Sequence, residues 1–268
     1  MKFGVNTFIW TAGFDRSNLH ILPAIKAAGF DGIEVPLFHP GDFAAADIRK
    51  GLADNGLECT CCSILTGGLN IISEDAAVRA KTRTHLEDCA KAAAEVGSKI
   101  IAGPLYSPVG HFTGSRRTDD EWKRAIECYQ SLGPTLAAYN VTIALEPLNR
   151  FEGDLLNTVD QGLDFLKTLD APAVGLLVDT FHVNIEESSW TGPYRRAMAA
   201  GRLFHVHLGD NNRLPPGQGL IDFAAILAAL HAAGYDGWLS AELLGRPDPD
   251  TAARQTVEHI TPLMKALA

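Results

Sequence analysis

LFHVHLGDNNRLPPGQGLIDFAAILAALHAAGYDGWLSAE, residues 203–242, holds one complete unit of the fold. LFHVHL is short, apolar and followed by turn-forming sequence, the pattern of a buried parallel strand whose carboxyl end opens into a loop. Residues 223–233 then place apolar side chains at helical spacing, AAGYDG breaks the helix, and WLSAE begins a second strand. Strand, helix and strand in that order form a parallel βαβ unit. The same alternation runs through the chain. Strands are expected at residues 3–8, 32–37, 57–63, 99–105, 141–146, 174–179, 203–208 and 238–242. Helices are expected at 19–28, 44–55, 74–96, 119–139, 158–169, 194–200, 223–233 and 250–267. Eight βα units predict a closed (β/α)8 TIM barrel of the α/β class, and such a barrel typically needs about 250 residues. The 268 residues are therefore expected to form a single domain spanning 1–268. AAGFDG at 27–32 repeats the join at 232–237, and both predict positive φ at the glycine that follows the helix.

The net charge of −9 argues against a nucleic-acid partner, because that affinity comes mostly from lysine and arginine neutralising phosphates. A small, neutral or weakly charged substrate fits better. The five cysteines are an odd number and follow no secretory leader, so reduced thiols are expected. In the run CTCC, Cys59 and Cys61 alternate with Thr60 and Cys62, which splits the thiols between opposite strand faces and predicts buried packing instead of a metal site. No apolar stretch reaches the roughly 18 residues of a membrane span, and a cytoplasmic location without membrane attachment is expected.

In a (β/α)8 barrel, chemistry sits at the carboxyl ends of the strands. Four expected strands end there on a side chain able to bind a metal: Glu146 after VTIAL, Asp179 after VGLLV, His207 in LFHVHL and Glu242 after WLSA. One carboxylate at a strand end could equally cap the next helix. Three carboxylates and an imidazole on one rim point to a divalent ion such as Mn²⁺, Co²⁺, Mg²⁺ or Zn²⁺, and the absence of cysteine argues against a closed structural zinc site. His205 points the same way as His207 but lies deeper, so His207 is taken as the ligand and His205 as a packing or supporting group. Asn6, Phe8 and Trp10 at the end of the first strand, with His111 and Phe112 after the fourth, are either core aromatics or a wall beside the substrate. The turns around Gly67–Gly68 and Gly217–Gly219 lack dinucleotide spacing, so no nicotinamide or flavin is expected.

Three segments, LEPLNRFEGDLLNT (145–158), LVDTFHVNIEE (177–187) and FHVHLGDNNRLPPGQG (204–219), together with Glu242, closely resemble the ketose 3-epimerases among the xylose-isomerase-like barrels. The resemblance implies Glu146, Asp179, His207 and Glu242 as metal ligands; for three carboxylates and an imidazole Mn²⁺ is the expected ion, and Glu146 and Glu242, on the fifth and eighth strands and far enough apart round the rim to flank a substrate, are the expected proton-transfer pair. It also implies that Glu152, His182 and Arg213 contact the sugar near its carbonyl, and that the protein forms a homodimer or homotetramer. The residues alone would leave Glu152 a solvated acid, His182 a capping group and Arg213 a surface ion pair.

The expected reaction is epimerisation of a free ketose at C3 through an enediolate. Aldose–ketose or hydroxypyruvate-type isomerisation, or an inosose dehydratase-like elimination, would begin with the same proton abstraction. A sugar-binding barrel without turnover is the remaining alternative, which a proton acceptor on each face of the substrate disfavours. Glu242 is followed by Leu243-Leu244-Gly245-Arg246-Pro247, where many relatives carry Pro-Phe and a basic stretch, and the segment between Asn184 and His205 is slightly long. Both departures leave the sugar and its chain length open.

Overall fold

A computed structural model describes residues 1–115 and 117–267. Its strands are β1 (Lys2–Asn6), β2 (Gly32–Pro36), β3 (Glu58–Cys62), β4 (Ile100–Gly103), β5 (Thr142–Leu145), β6 (Val174–Asp179), β7 (Leu203–Leu208) and β8 (Trp238–Ala241). Each pairs in parallel with the next, and β8 pairs with β1, so the sheet closes as the sequence predicts. Strand ends differ by a few residues. The first strand stops at Asn6 because the Asn6 side chain accepts the Phe8 amide and starts a 3₁₀ turn at Thr7–Ile9. Glu146 and Glu242 lie just beyond β5 and β8, yet their amides still donate to Gly103 and Leu208 on the neighbouring strands.

The helices are α1 (Leu22–Ala28), α2 (Ala45–Asp54), α3 (Ala76–Val96), α4 (Asp119–Tyr139), α5 (Val159–Leu169), α6 (Thr180–Glu186), α7 (Gly192–Ala199), α8 (Phe223–Ala232) and α9 (Pro249–Lys265). Several starts are set by side chains that satisfy otherwise unpaired amides, including reciprocal capping boxes at Thr118/Glu121 and Thr158/Gln161. Gly29 and Gly234 adopt φ of 107° and 75°, as the repeated join requires. Helix α6 is absent from the sequence-based expectation. It has only seven residues and buries Thr180, His182 and Val183, too few apolar positions to show a period.

Outward-facing strand residues such as Val35, Cys61, Ile101, Ile143, Val206 and Leu239 pack with the helices in the main core. The barrel interior changes character along its axis. Deep inside, Ile100, Ala102, Ala144 and Leu177 pack with Phe204, beside a shift of register between β6 and β7. Nearer the carboxyl ends, Asn6, Glu34, Thr60, Glu146, Asp179, His205 and His207 are all buried. Charges are expensive to bury unless paired or bound to an ion, so this polar layer marks the site. The CTCC run divides as expected. Cys59 and Cys61 join the main core, Thr60 bonds Glu34, and Cys62 receives the Asn6 amide.

Candidate metal centre and active site

Adjacent strands bring the four proposed ligands together. Asp179 and His207 are register partners across β6 and β7, and Glu146 and Glu242 approach from β5 and β8. One potential ligand atom from each of the four lies within 4.8 Å of the other three. Two atoms of this group, Glu146 Oε1 and His207 Nδ1, are buried without a hydrogen-bond partner. Neighbours are close but do not satisfy them: His182 Nε2 is 3.4 Å from Glu146 Oε1, and Glu242 Oε2 is 3.5 Å from His207 Nδ1. Unsatisfied buried acceptors are costly, and convergence of an oxygen and an imidazole nitrogen with two further carboxylates fits an oxygen-rich divalent site.

Asp179 does two jobs. One carboxylate oxygen accepts the Phe181 amide at 2.6 Å and caps α6, while the other accepts from Arg213 at 2.7 Å. The capping role expected of a strand-end acid is therefore present at Asp179, and it leaves the second oxygen facing the cluster. Arg213 also donates to Glu242 Oε2 at 3.1 Å and stacks on Phe181 at 4.0 Å. It is therefore no surface ion pair but a cation set among the proposed ligands, and its guanidinium is held charged above its ordinary range by Asp179 and Glu242 despite burial.

The two glutamates experience opposite environments. Burial, and then the charges of Glu242 and Asp179, push the Glu146 carboxyl well above the usual carboxylate range. Burial opposes ionisation of Glu242 too, but His207 and Arg213 outweigh it and draw its pKa down to about 2. Its side chain is 22% exposed, the most open of the four.

His182, on α6, accepts the backbone N–H of Asn149 at Nδ1 over 3.0 Å. A backbone amide can only donate, so Nδ1 is an acceptor, and Nε2 stands between Glu146 Oε1 at 3.4 Å and Nη2 of Arg213, itself a donor, at 3.1 Å. Burial lowers the His182 pKa, although the charge of Asp179 opposes it. Glu152 reaches the same network by accepting from Asn149 Nδ2 at 2.8 Å. Glu152, His182 and Arg213 are thereby joined at one side of the cluster.

Three supporting residues are not legible in the sequence. Asn149 links Glu152 to His182. Asp210 is fully buried and accepts the amides of Asn211, Gly217, Gly219 and Ile221, which folds the loop carrying Arg213. Arg213 takes φ of 59°, a left-handed conformation uncommon for a side chain of its size, and its amide and carbonyl are tied to Asp210 and Leu244. Glu34, inside β2, bonds both His205 and His207. Burial opposes its charge, but the two imidazoles hold its carboxyl well below the usual range.

Of the aromatics, Phe8 stacks on Phe38 at 5.5 Å, and Trp10 donates to Asp250 on α9. Phe112 is 47% exposed and lines a groove of about 750 Å³ with Arg117, Arg150 and Asp154; none of the four cluster residues lines it.

Residues 22–263 match the family model for the xylose isomerase-like TIM barrel. The chain is 32% identical over 269 residues to a probable ketose 3-epimerase of Synechocystis sp., covering 100% of this chain and 93% of that protein. It is 37% identical over 242 residues to the L-ribulose 3-epimerase of Mesorhizobium japonicum, covering 90% of this chain and 80% of that protein. The solved structure of an L-ribulose 3-epimerase superposes with a TM-score of 0.93 at 32% identity, covering 99% of this chain and 95% of the other. A full-length match in sequence, together with an eight-stranded barrel that gathers three carboxylates and an imidazole at its carboxyl rim, makes this chain an isomerase that belongs to the ketose 3-epimerases of the xylose isomerase-like TIM barrel family.

Proposed function

We propose that the protein epimerises a free ketose at C3, using one divalent ion, Mn²⁺ by preference, held by Glu146, Asp179, His207 and Glu242. The observation that carries this reading is the pair of glutamates: Glu146 and Glu242 reach one cluster from β5 and β8, with β6 and β7 between them. A substrate seated over β6 and β7 then has a carboxylate on either side. One glutamate takes the C3 proton, the C3–H electron pair becomes the C2–C3 double bond of an enediolate, and the other returns a proton to the opposite face. Reversal of the reaction exchanges their roles. A divalent ion supplies Lewis-acid stabilisation of the negative charge that forms on the substrate oxygens. The Arg213 guanidinium, with His182 beside it at the carbonyl end, opposes the developing charge, and Glu152 accepts from a sugar hydroxyl. Mn²⁺ and Co²⁺ suit three carboxylates and an imidazole, and Mg²⁺ is a weaker fit because of the imidazole. The activities for which the relatives are named support a ketose, and Arg213 already neutralises two carboxylates, which favours an uncharged sugar over a phosphate ester.

Turnover in D₂O tests the reading. Epimerisation places deuterium at C3 of the product with the C2 carbonyl retained. Deuterium at C1 together with aldose would instead establish an aldose–ketose isomerase. Glu146→Gln and Glu242→Gln should each abolish epimerisation, while the surviving glutamate still exchanges the C3 proton of one epimer. Both single variants epimerising at near-normal rate with metal bound would refute the two-base scheme.

A further inference from the structure

We infer that Glu34 is the positioning residue that fixes the ring of His207 so that Nδ1, and not Nε2, is offered to the ion. The inference rests on the metal reading above and adds a requirement that the four ligands do not contain. Glu34 is completely buried in the barrel, below the cluster. Its Oε1 accepts from His207 Nε2 at 2.7 Å and from Asn6 Nδ2 at 3.0 Å. Its Oε2 accepts from His205 Nε2 at 2.5 Å and from Thr60 Oγ1 at 2.9 Å.

A carboxylate offers about four lone-pair sites and no proton, so these four donors use its whole capacity. Two consequences follow. The carboxylate cannot rotate without abandoning a buried donor, because it is gripped from β1, β3 and β7 at once. Both imidazoles must also carry a proton on Nε2. The lone pair of neutral His207 then belongs to Nδ1, the atom that lies unpartnered in the cluster with Glu146, Asp179 and Glu242. His205 acts with Thr60 from the other oxygen, so the deeper histidine of the HVH pair braces the carboxylate that orients the shallower one. Removing the hydrogen-bond partner of a metal-binding histidine typically lowers metal affinity 10–100-fold.

The decisive comparison is Mn²⁺ affinity, read from the electron paramagnetic resonance of free Mn²⁺, for the unmodified protein and Glu34→Gln. An amide turns N–H groups toward two of the four donors, so one imidazole must change tautomer or lose its partner. The expected result is an increase in Kd of about tenfold or more, with circular dichroism and metal-free melting showing a folded barrel. In parallel, ¹⁵N correlation spectra of histidine-labelled, unmodified protein loaded with diamagnetic Zn²⁺ should show His207 protonated at Nε2. A folded Glu34→Gln protein that binds Mn²⁺ within about threefold of the unmodified affinity would overturn the inference, since that lies below the range for such partners. So would a proton on Nδ1 of His207 in the loaded protein. Should Glu34→Gln not fold, the tautomer in the unmodified protein decides alone. Failure of the unmodified protein to bind Mn²⁺ is a different result, because it removes the metal reading and this inference with it.

Discussion

Asp210→Asn changes one atom and should loosen the loop that presents Arg213. The Asp210 side chain is fully buried; Oδ1 accepts from the amides of Asn211 (2.9 Å) and Ile221 (3.2 Å), and Oδ2 from those of Gly217 (3.0 Å) and Gly219 (2.8 Å). The chain wraps so closely that a Cβ at position 219 would stand 2.3 Å from Oδ1, which is why PPGQG ends on glycine. An asparagine can keep one oxygen in place, but its NH₂ must then face two backbone N–H groups. Two hydrogen bonds to a charged acceptor are lost, each worth about 1.5–3 kcal/mol. Asn211 is half-buried and Gly217 and Gly219 are exposed, so their amides recover part of this from water, and the expected net loss is about 2–3 kcal/mol. Urea denaturation of the two metal-free proteins measures it. Because Arg213 is held in a left-handed conformation by this loop, KM for the ketose should rise as well, by less than in Arg213→Ala, where the guanidinium is gone. A variant within about 0.5 kcal/mol of the parent, the usual spread of neutral surface changes, with unchanged KM, would show that the four amides do not depend on the carboxylate.

Chelation should abolish turnover and Mn²⁺ or Co²⁺ restore it; full activity in protein shown to be metal-free by elemental analysis would refute the metal reading. Burial and Glu242 raise the Glu146 pKa, so the metal-free protein keeps a proton there to higher pH than an ordinary carboxylate does; the ion must displace it, and affinity for Mn²⁺ should increase with pH. Calorimetry in buffers of different ionisation enthalpy reads the released proton, and a heat independent of buffer would contradict it. His207→Ala should eliminate Mn²⁺ binding while His205→Ala weakens it without eliminating it; the reverse order in a Mn²⁺ titration would mean that the β7 assignment is wrong. All five cysteines are buried, and burial pushes Cys59, Cys89 and Cys128 up to about 12 and Cys61 and Cys62 well above their ordinary range. Ellman's reagent should therefore titrate five thiols only on unfolding, and rapid reaction in the native protein would show that the thiol environments are more open than the packing indicates.

The barrel is legible in the sequence because its strands are short apolar runs divided by helices, a pattern carried by local composition. The proposed ligands are legible for a related reason: four runs end on a side chain able to bind a metal, and barrel topology alone sends strand ends to one rim. Glu34 has no such signal. Its partners Asn6, Thr60, His205 and His207 stand 28, 26, 171 and 173 residues away, so a lone acid inside the GIEVP strand acquires meaning only after the sheet closes. Asp210 is hidden differently, as one polar residue in a polar loop whose four amide partners are backbone groups without sequence identity. The expectation for His182 falls between these cases. It lies in the short helix α6, and its place beside Arg213 depends on the Asn149 amide that holds Nδ1, 33 residues earlier.

Hydrogen-bond saturation separates the acids that build this site from those that act in it. Glu34 and Asp210 are fully buried, and each spends both oxygens on four protein donors, leaving nothing for a ligand. Glu146 is nearly as buried, yet one of its oxygens has no donor. Asp179 gives one oxygen to a helix amide and the other to Arg213, and among the described residues Glu242 receives a side-chain hydrogen bond from Arg213 alone. A cation can therefore gain access to the last three by movement of one arginine, whereas at Glu34 or Asp210 it would have to break the fold. Burial by itself would rank Glu34 above Glu242 as a functional acid. Counting donors reverses that order: it assigns Glu34 to the foundation of the cluster and leaves Glu242, its most open member, with acceptor capacity to spare.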